Sequence, residues 1–476
     1  MKYIYLLFLG ILMSCSSSPE KSKNNIEQNE LIPVEIDLAE IKKRGKLKAL
    51  TTYSGTTYFL YKGKTMGFEY ELLERLCKKL DVGLEMVIAQ DENELMDMLI
   101  RGEGDIIAYG YTILNDRQTK IQFTEPLYLS NQVLVQRKPA NWRRMKLHQI
   151  EEQMVTDPIQ LIGDTVSVKQ NSSYASRLAN LNKELGGEIY IDTIPGTLTT
   201  EEIIAMVANG KLKYTVVDQN IGYINASNYS NLDISTKISF TQQIAWGVRK
   251  NSPELLKEVN NWITSFSKTT DYHVIYNKYY KNKRRYKARV KSEFYSIGDN
   301  KISPYDELIK KYAEKIGWDW RLVASIAYQE SQFKPQSKSW AGARGLMQIM
   351  PATAESLNIT DPTDPQESLR GGTAYLTEVW GKHEDITDSI QRIKFTLASY
   401  NCGYAHLKDA QRIAERKGLH PKIWDNNVEL AILDLSSPKY YNSEGIRYGY
   451  VRGTEPYNYV RQIFERYEHY TTFIKK

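Results

Sequence analysis

The chain has almost no cysteine. Its 476 residues contain three, Cys15, Cys77 and Cys402, too few and too scattered for a disulfide framework or a metal cluster, so neither a metal site nor a cofactor is expected. It has no long low-complexity tract, which argues against a disordered or fibrous protein. It has one apolar run, Tyr3–Met13, too short to span a bilayer stably. Charge of one sign is also scarce. A net charge of +6 is compatible with an acidic polymer as partner but does not call for nucleic acid. What is present is globular: 41% hydrophobic and 25% charged residues, in a chain long enough for two or three domains. The 34 Tyr and 8 Trp offer flat faces against which sugar rings can rest, although tyrosine is equally an ordinary core residue.

Two of the cysteines look like packing. Cys77 lies in a helical pattern and Cys402 follows an Ala-Ser-Tyr-Asn motif. Cys15 differs, because it follows a charged start and the apolar run and precedes a polar stretch. Leu12-Met13-Ser14-Cys15 resembles the lipobox of bacterial lipoproteins. The resemblance implies a signal peptide over 1–14, a lipidated Cys15 and a flexible tether over 15–37. Ser16 after the cysteine implies an anchor in outer-membrane lipid, with the folded part facing the periplasm.

From about Asp37 short β-rich runs alternate with amphipathic helices. Lys46–Thr52, Gly83–Ala89 and Asp105–Thr112 read as strands, and Gly67–Leu80 and Asp91–Arg101 as helices. Strands spaced by helices imply βαβ units and a largely parallel sheet. The pattern resumes at Thr165–Lys169, Tyr214–Val217 and Gln243–Arg249. Gly67-Phe68-Glu69-Tyr70-Glu71-Leu72 and Phe123-Thr124-Glu125-Pro126-Leu127-Tyr128 resemble family 3 extracellular solute-binding domains. The resemblance implies two α/β lobes over 38–280, joined by crossover strands at Gln132–Gln136 and Gln243–Val248, with a ligand between them. It places a carboxylate-binding guanidinium at Arg117 with Thr112 as hydroxyl partner, an ammonium-binding carboxylate at Asp218, and second-lobe hydroxyls at Ser172 and Ser173. Asn171 stands where the family usually has Gly. The implied ligand is an amino acid or a muropeptide. The basic run Lys281–Lys291 reads as a solvated linker or exposed helix face within a linker spanning 281–299.

After Ser303 the pattern is helical almost throughout, and a mainly α domain is expected over 300–476. In Trp320–Phe333, Val323, Ile326 and Ala327 recur at the spacing of an inward stripe, and the next place on it belongs to Glu330. A carboxylate against apolar neighbours is costly when ionised and tends to keep its proton. A solvated glutamate at a helix edge fits the same stretch. Four further signals follow one another: Glu330-Ser331, Gly345-Leu346-Met347-Gln348-Ile349, Ala398-Ser399-Tyr400-Asn401, and Glu455 with Tyr459-Val460.

Together these resemble the catalytic domain of family 1 lytic transglycosylases, a lysozyme-like fold acting on peptidoglycan glycan strands. The expected whole is therefore multidomain, an α/β two-lobed periplasmic-binding-protein-like domain followed by a lysozyme-like domain. The resemblance implies Glu330 as acid and then base. Ser331, Gly345, Gln348, Tyr400, Asn401 and Tyr459 become substrate-site residues, with Tyr400 expected to orient Glu330 and Gly345 to let the backbone approach a sugar. Glu355, Asp361 and Asp364 read as turn, cap or surface residues rather than a second catalytic carboxylate. Two rival readings remain at this point: a hydrolytic muramidase, and a wall-associated receptor with an inactive helical domain.

Overall fold

A computed structural model describes residues 34–297 and 301–474. The expected signal peptide, Cys15 and most of the tether lie outside the described residues. The folded part begins slightly before the expected boundary. Asp37 caps the helix Leu38–Arg44 and also accepts a bond from the amide of Leu255 at 2.8 Å, so the end of the tether is packed.

The first lobe is built on a mixed sheet in which Gly83–Ile88, Lys46–Thr51, Ile106–Thr112, Gln242–Val248 and Gln122–Phe123 lie side by side. The first three run parallel, with Leu50 opposite both Val87 and Ile107. Ile106, Ile107 and Ala108 are all fully buried, as expected for a strand covered on both faces. The helix Phe68–Leu80 covers one face through Leu72, Leu73 and Leu76.

In the second lobe Gln132–Arg137 is flanked by Tyr214–Asp218 and Leu232–Asp233, both antiparallel to it, and Thr165–Lys169 pairs in parallel with Tyr190–Ile194. The crossings are narrower than the sequence suggests. Gln132–Arg137 belongs wholly to the second lobe and Gln242–Val248 to the first. The chain changes lobe at Asn131, whose side-chain amide bonds Ser239 O at 3.3 Å and Thr241 Oγ1 at 3.4 Å on the returning strand.

Of the two readings of the basic run, the exposed helix face holds and the solvated linker does not. Lys283–Val290 is a helix with Tyr286 and Arg289 buried. Arg289 lies over the Phe59 ring at 4.6 Å and donates to Gly55 O at 3.3 Å in the first lobe. Tyr286 donates to Asn225 of the second lobe, and Lys283 sits 3.6 Å from the centre of the Tyr223 ring. The cationic heads are thus partly spent on aromatic faces, which a count of charges cannot foresee. Tyr295–Ser296 then adds a strand to the hairpin Phe59–Tyr61/Lys64–Met66.

The third body is helical, with Asp306–Lys315, Trp320–Ser331, Pro365–Gly381, Ser389–Cys402, Tyr404–Arg416 and Thr454–Phe473 as its longer helices. Asp364 caps and Pro365 starts the third of these. Asp361 holds a turn through Thr363 and Glu355 is exposed, so the three acids are turn, cap and surface residues. The long C-terminal helix runs back to the first lobe. Tyr470 donates to Gly63 O at 2.8 Å, and Phe473 stacks on Tyr58 with centroids 4.7 Å apart. One continuous apolar core therefore joins the first lobe to the helical domain.

Candidate functional site

The helix Trp320–Ser331 is buried almost all round, with Leu322, Val323, Ala324, Ile326 and Ala327 hidden. It ends because Gln332 and Phe333 take left-handed backbone angles, φ 53° and 58°. Glu330 stands one residue before that end, half-buried, where outward-facing helix carbonyls disfavour a negative charge. Burial pushes its carboxyl up to about 7, opposed by a hydrogen bond that favours the ion. That bond comes from the Tyr459 hydroxyl to Oε1. Among the described residues, burial and this hydrogen bond are the influences on it. Near neutrality it can therefore both hold and release a proton.

The motif residues around it divide differently from expectation. Tyr400 does not orient Glu330; its hydroxyl donates to Met347 O at 2.8 Å, and that task falls to Tyr459. Ser331 faces inward and is buried, its Oγ within 2.9 Å of Leu346 O and 3.0 Å of Ala327 O, so it ties the helix to the glycine-rich turn and cannot contact a substrate. Gly345, at φ 85°, is pressed against the chain's own backbone: a Cβ there would lie 1.8 Å from Pro362 O. Its smallness serves the turn rather than a sugar ring. Gln348 spends its amide on Ser337 O at 3.2 Å and Gly345 O at 3.0 Å, holding the same turn. Ser368 supports it from below by accepting the Met347 amide at 3.1 Å.

Asn401 and Tyr459 do share an open cleft, with Gln329, Glu455, Asn458 and Gln462. Glu455 is exposed and pairs with Arg452 at 3.0 Å. Cys402, half-buried with its thiol pushed up to about 12 by burial, is packing, as is buried Cys77.

The five residues expected around a ligand in the first domain, Thr112, Arg117, Ser172, Ser173 and Asp218, all line one cavity between the lobes, about 40 Å³ in volume. The lobes are closed over it. Thr112 Oγ1 reaches Ser173 Oγ at 3.3 Å, Gly55 donates to Glu201 at 3.1 Å, and Lys169 lies 3.7 Å from Glu92. Arg117 lies over the Tyr111 ring at 4.3 Å and donates to Thr112 O at 3.3 Å. Asp218 takes a 3.3 Å bond from Tyr174 on one oxygen, while the other is buried and unpartnered. Burial pushes Asp218 up to about 7. Ser172 spends its hydroxyl on Lys169 O at 2.6 Å and caps the following helix. Asn171 adopts φ 57°, a left-handed angle that Asn tolerates in place of Gly.

Residues 38–282 match the model of bacterial extracellular solute-binding proteins, family 3, and residues 307–421 match the transglycosylase SLT domain. The chain is 33% identical over 431 residues to membrane-bound lytic murein transglycosylase F of Desulfosudis oleivorans, covering 90% of this chain and 91% of that protein. The chain belongs to the membrane-bound lytic murein transglycosylase F family. It is also 31% identical to the family member of Shewanella sediminis over 468 residues, 97% of this chain and 90% of that one. The substrate binding protein of an amino acid ABC transporter, 20% identical, overlays on 50% of this chain and all of that one with a TM-score of 0.42.

The matched transglycosylase span stops before Tyr459, which among the described residues is the side chain that hydrogen-bonds to Glu330. Sequence reasoning reached Tyr459 through its motif and gave it the lesser role. It passed over Gln329 and Gln462, which bond each other at 3.0 Å across the cleft floor. It also passed over Glu69, Glu92 and Glu201, which line the ligand cavity of this family member. Glu69 carried a signal, being an acid between Phe68 and Tyr70 at the start of a buried helix.

Proposed function

We propose that this protein is a peptidoglycan lytic transglycosylase in which Glu330 serves as acid and base in turn, under an N-terminal domain that binds a small ligand. The carrying observation is a lone, half-buried carboxyl, raised by burial and held by Tyr459 alone. In the first step Glu330 donates its proton to the oxygen joining MurNAc to GlcNAc, and an oxocarbenium-like centre develops at MurNAc. The resulting carboxylate then takes the proton of the MurNAc C6 hydroxyl, whose oxygen closes on the anomeric carbon. A second carboxylate is not required because the nucleophile belongs to the sugar. The Tyr459 hydrogen bond steadies the carboxylate between the two steps. Mass spectrometry of digested sacculi should show 1,6-anhydro ends. Reducing MurNAc ends would replace this mechanism with hydrolysis.

The same reading holds that ligand binding modulates cleavage. The segment from Ser54 to Glu69 begins and ends in the ligand cavity. At its middle, Gly63 sits so close to the catalytic helix that a Cβ would lie 2.6 Å from Tyr328 and 2.7 Å from Phe333. Opening or closing the lobes thus has a direct mechanical route to the end of the helix that carries Glu330. Cleavage rates measured with and without saturating ligand should differ; equal rates would end this part of the proposal.

Membrane association rests on the family name and on Leu12–Cys15. Among the described residues no helix is long and apolar enough to cross a membrane. A lipid on Cys15, in the outer membrane, supplies the attachment in this reading. Metabolic labelling with a fatty-acid analogue checks it, and an unlabelled chain would count against it.

A further inference from the structure

The ligand cavity holds more negative groups than an ordinary amino acid can use. Four carboxyls line it, those of Glu69, Glu92, Glu201 and Asp218, against one lining guanidinium, Arg117, and one nearby ammonium, Lys169, on Glu92 at 3.7 Å. A zwitterionic amino acid brings one charge of each sign. Arg117 and Asp218 suffice for these, and the excess of acid remains. Two of the four are already engaged. Glu92 accepts from Tyr109 beside Lys169, and Glu201 accepts the Gly55 amide at 3.1 Å.

Glu69 is the one without an evident purpose. It is 1% exposed, it lines the cavity, and its Oε2 has no hydrogen-bond partner. Its other oxygen lies over Gly110, 3.6 Å from where a Cβ would be, on the strand that leads to Thr112. The Tyr128 and Tyr280 hydroxyls, 3.5 Å apart, stand on the same side of the cavity. The carboxyl is bonded on one side, by its own amide and the Thr57 side chain, and a buried carboxyl with its other oxygen free among tyrosine rings is a receptor for a cation. Such a group is costly to keep without one.

We propose that the cavity takes an amino acid bearing a second cationic group, with Arg117 on the carboxylate, Asp218 on the α-ammonium and Glu69 as counter-charge to the distal cation. The proposal rests on the reading of this domain as an amino-acid binder and adds the class of ligand. Burial pushes Glu69 up to about 8 and Asp218 up to about 7, a cost of burying negative charge that a ligand cation would offset. A free diamino acid supplies all three groups, whereas the end residue of a peptide, with its α-nitrogen or its carboxyl in an amide, supplies two of them.

Calorimetry on the full chain with arginine against citrulline, and with ornithine or lysine against norleucine, tests the distal charge at nearly constant shape. The cationic member of each pair is expected to bind roughly tenfold tighter or more, the scale of one charged hydrogen bond. Glu69→Gln should erase that preference. The dipeptide Ala-Lys separates the two sources: binding tighter than free lysine points to a peptide end, weaker to a free amino acid. Citrulline and norleucine binding as tightly as their cationic partners would overturn the distal-charge proposal while leaving an amino-acid binder. No binding by any of them would overturn the amino-acid reading as well. If Glu69→Gln fails to fold, the paired ligands on the unaltered chain still decide.

Discussion

Glu330→Gln is expected to lower murein cleavage by about three orders of magnitude or more, since one group carries both proton transfers and each is worth roughly 10²–10⁴-fold. Glutamine keeps the size and still accepts the Tyr459 hydrogen bond, so the cleft should survive. The pH dependence has a definite sign. The acid must be protonated at the start, and its carboxyl lies at about 7, so the unaltered enzyme should lose rate as pH rises through 7. Stability follows the same proton. The folded chain binds it more tightly than an unfolded glutamate near 4.5 does, so the benefit is complete below the unfolded value and lost as pH rises through the folded one. Glu330→Gln should therefore be more stable than the unaltered chain at pH 8, by roughly 2–3 kcal/mol, and level with it at pH 4. Thermal melts at the two pH values check this. Full cleavage by the Gln variant would remove Glu330 from the mechanism.

Gly345→Ala should do comparable damage by a different route. The added Cβ would lie 1.8 Å from Pro362 O and 2.5 Å from Ser368 Oγ, at a backbone φ of 85°. The first neighbour is backbone and cannot swing aside. Ser368 cannot leave without abandoning the Met347 amide. Strain of this kind costs about 3 kcal/mol or more, which for a domain of this size lowers the melting temperature by roughly 6–12 °C. Activity should fall by at least about a hundredfold, because the turn carries Met347 O, the acceptor of Tyr400, and Leu346 O, the acceptor of Ser331. A variant that melts normally and cleaves normally would show that the turn has room the structure does not reveal.

Both expectations separate what was legible in the chain from what was not. The four motifs led to residues that gather about Glu330 and the glycine-rich turn, but the contacts these make differ from those expected wherever a side chain's direction decides them. Ser331 follows Glu330 in sequence and so points about 100° away around the helix, inward to Leu346 rather than outward to a substrate. Tyr400 and Tyr459 carry the same chemistry in similar motif contexts, and sequence offers no means of telling which hydroxyl reaches the carboxyl. The basic run Lys281–Lys291 left linker and exposed helix face both open, because the helix is settled by Tyr286 and Arg289 packing on distant segments.

The sequence by itself determined the domain order and the fold class of each part, and through its family resemblances it pointed to Glu330 and to the five residues that line the cavity between the lobes. Order and fold class rest on periodicity and on residue types at fixed spacing, which are local. Tertiary structure alone decided that Tyr459, 129 positions from Glu330, holds the carboxyl, that Gly63 touches the helix carrying Glu330, and that one oxygen of Glu69 stands unpartnered in the cavity. Each is a meeting of distant segments, and burial and hydrogen bonding act through space, where separation along the chain carries no information.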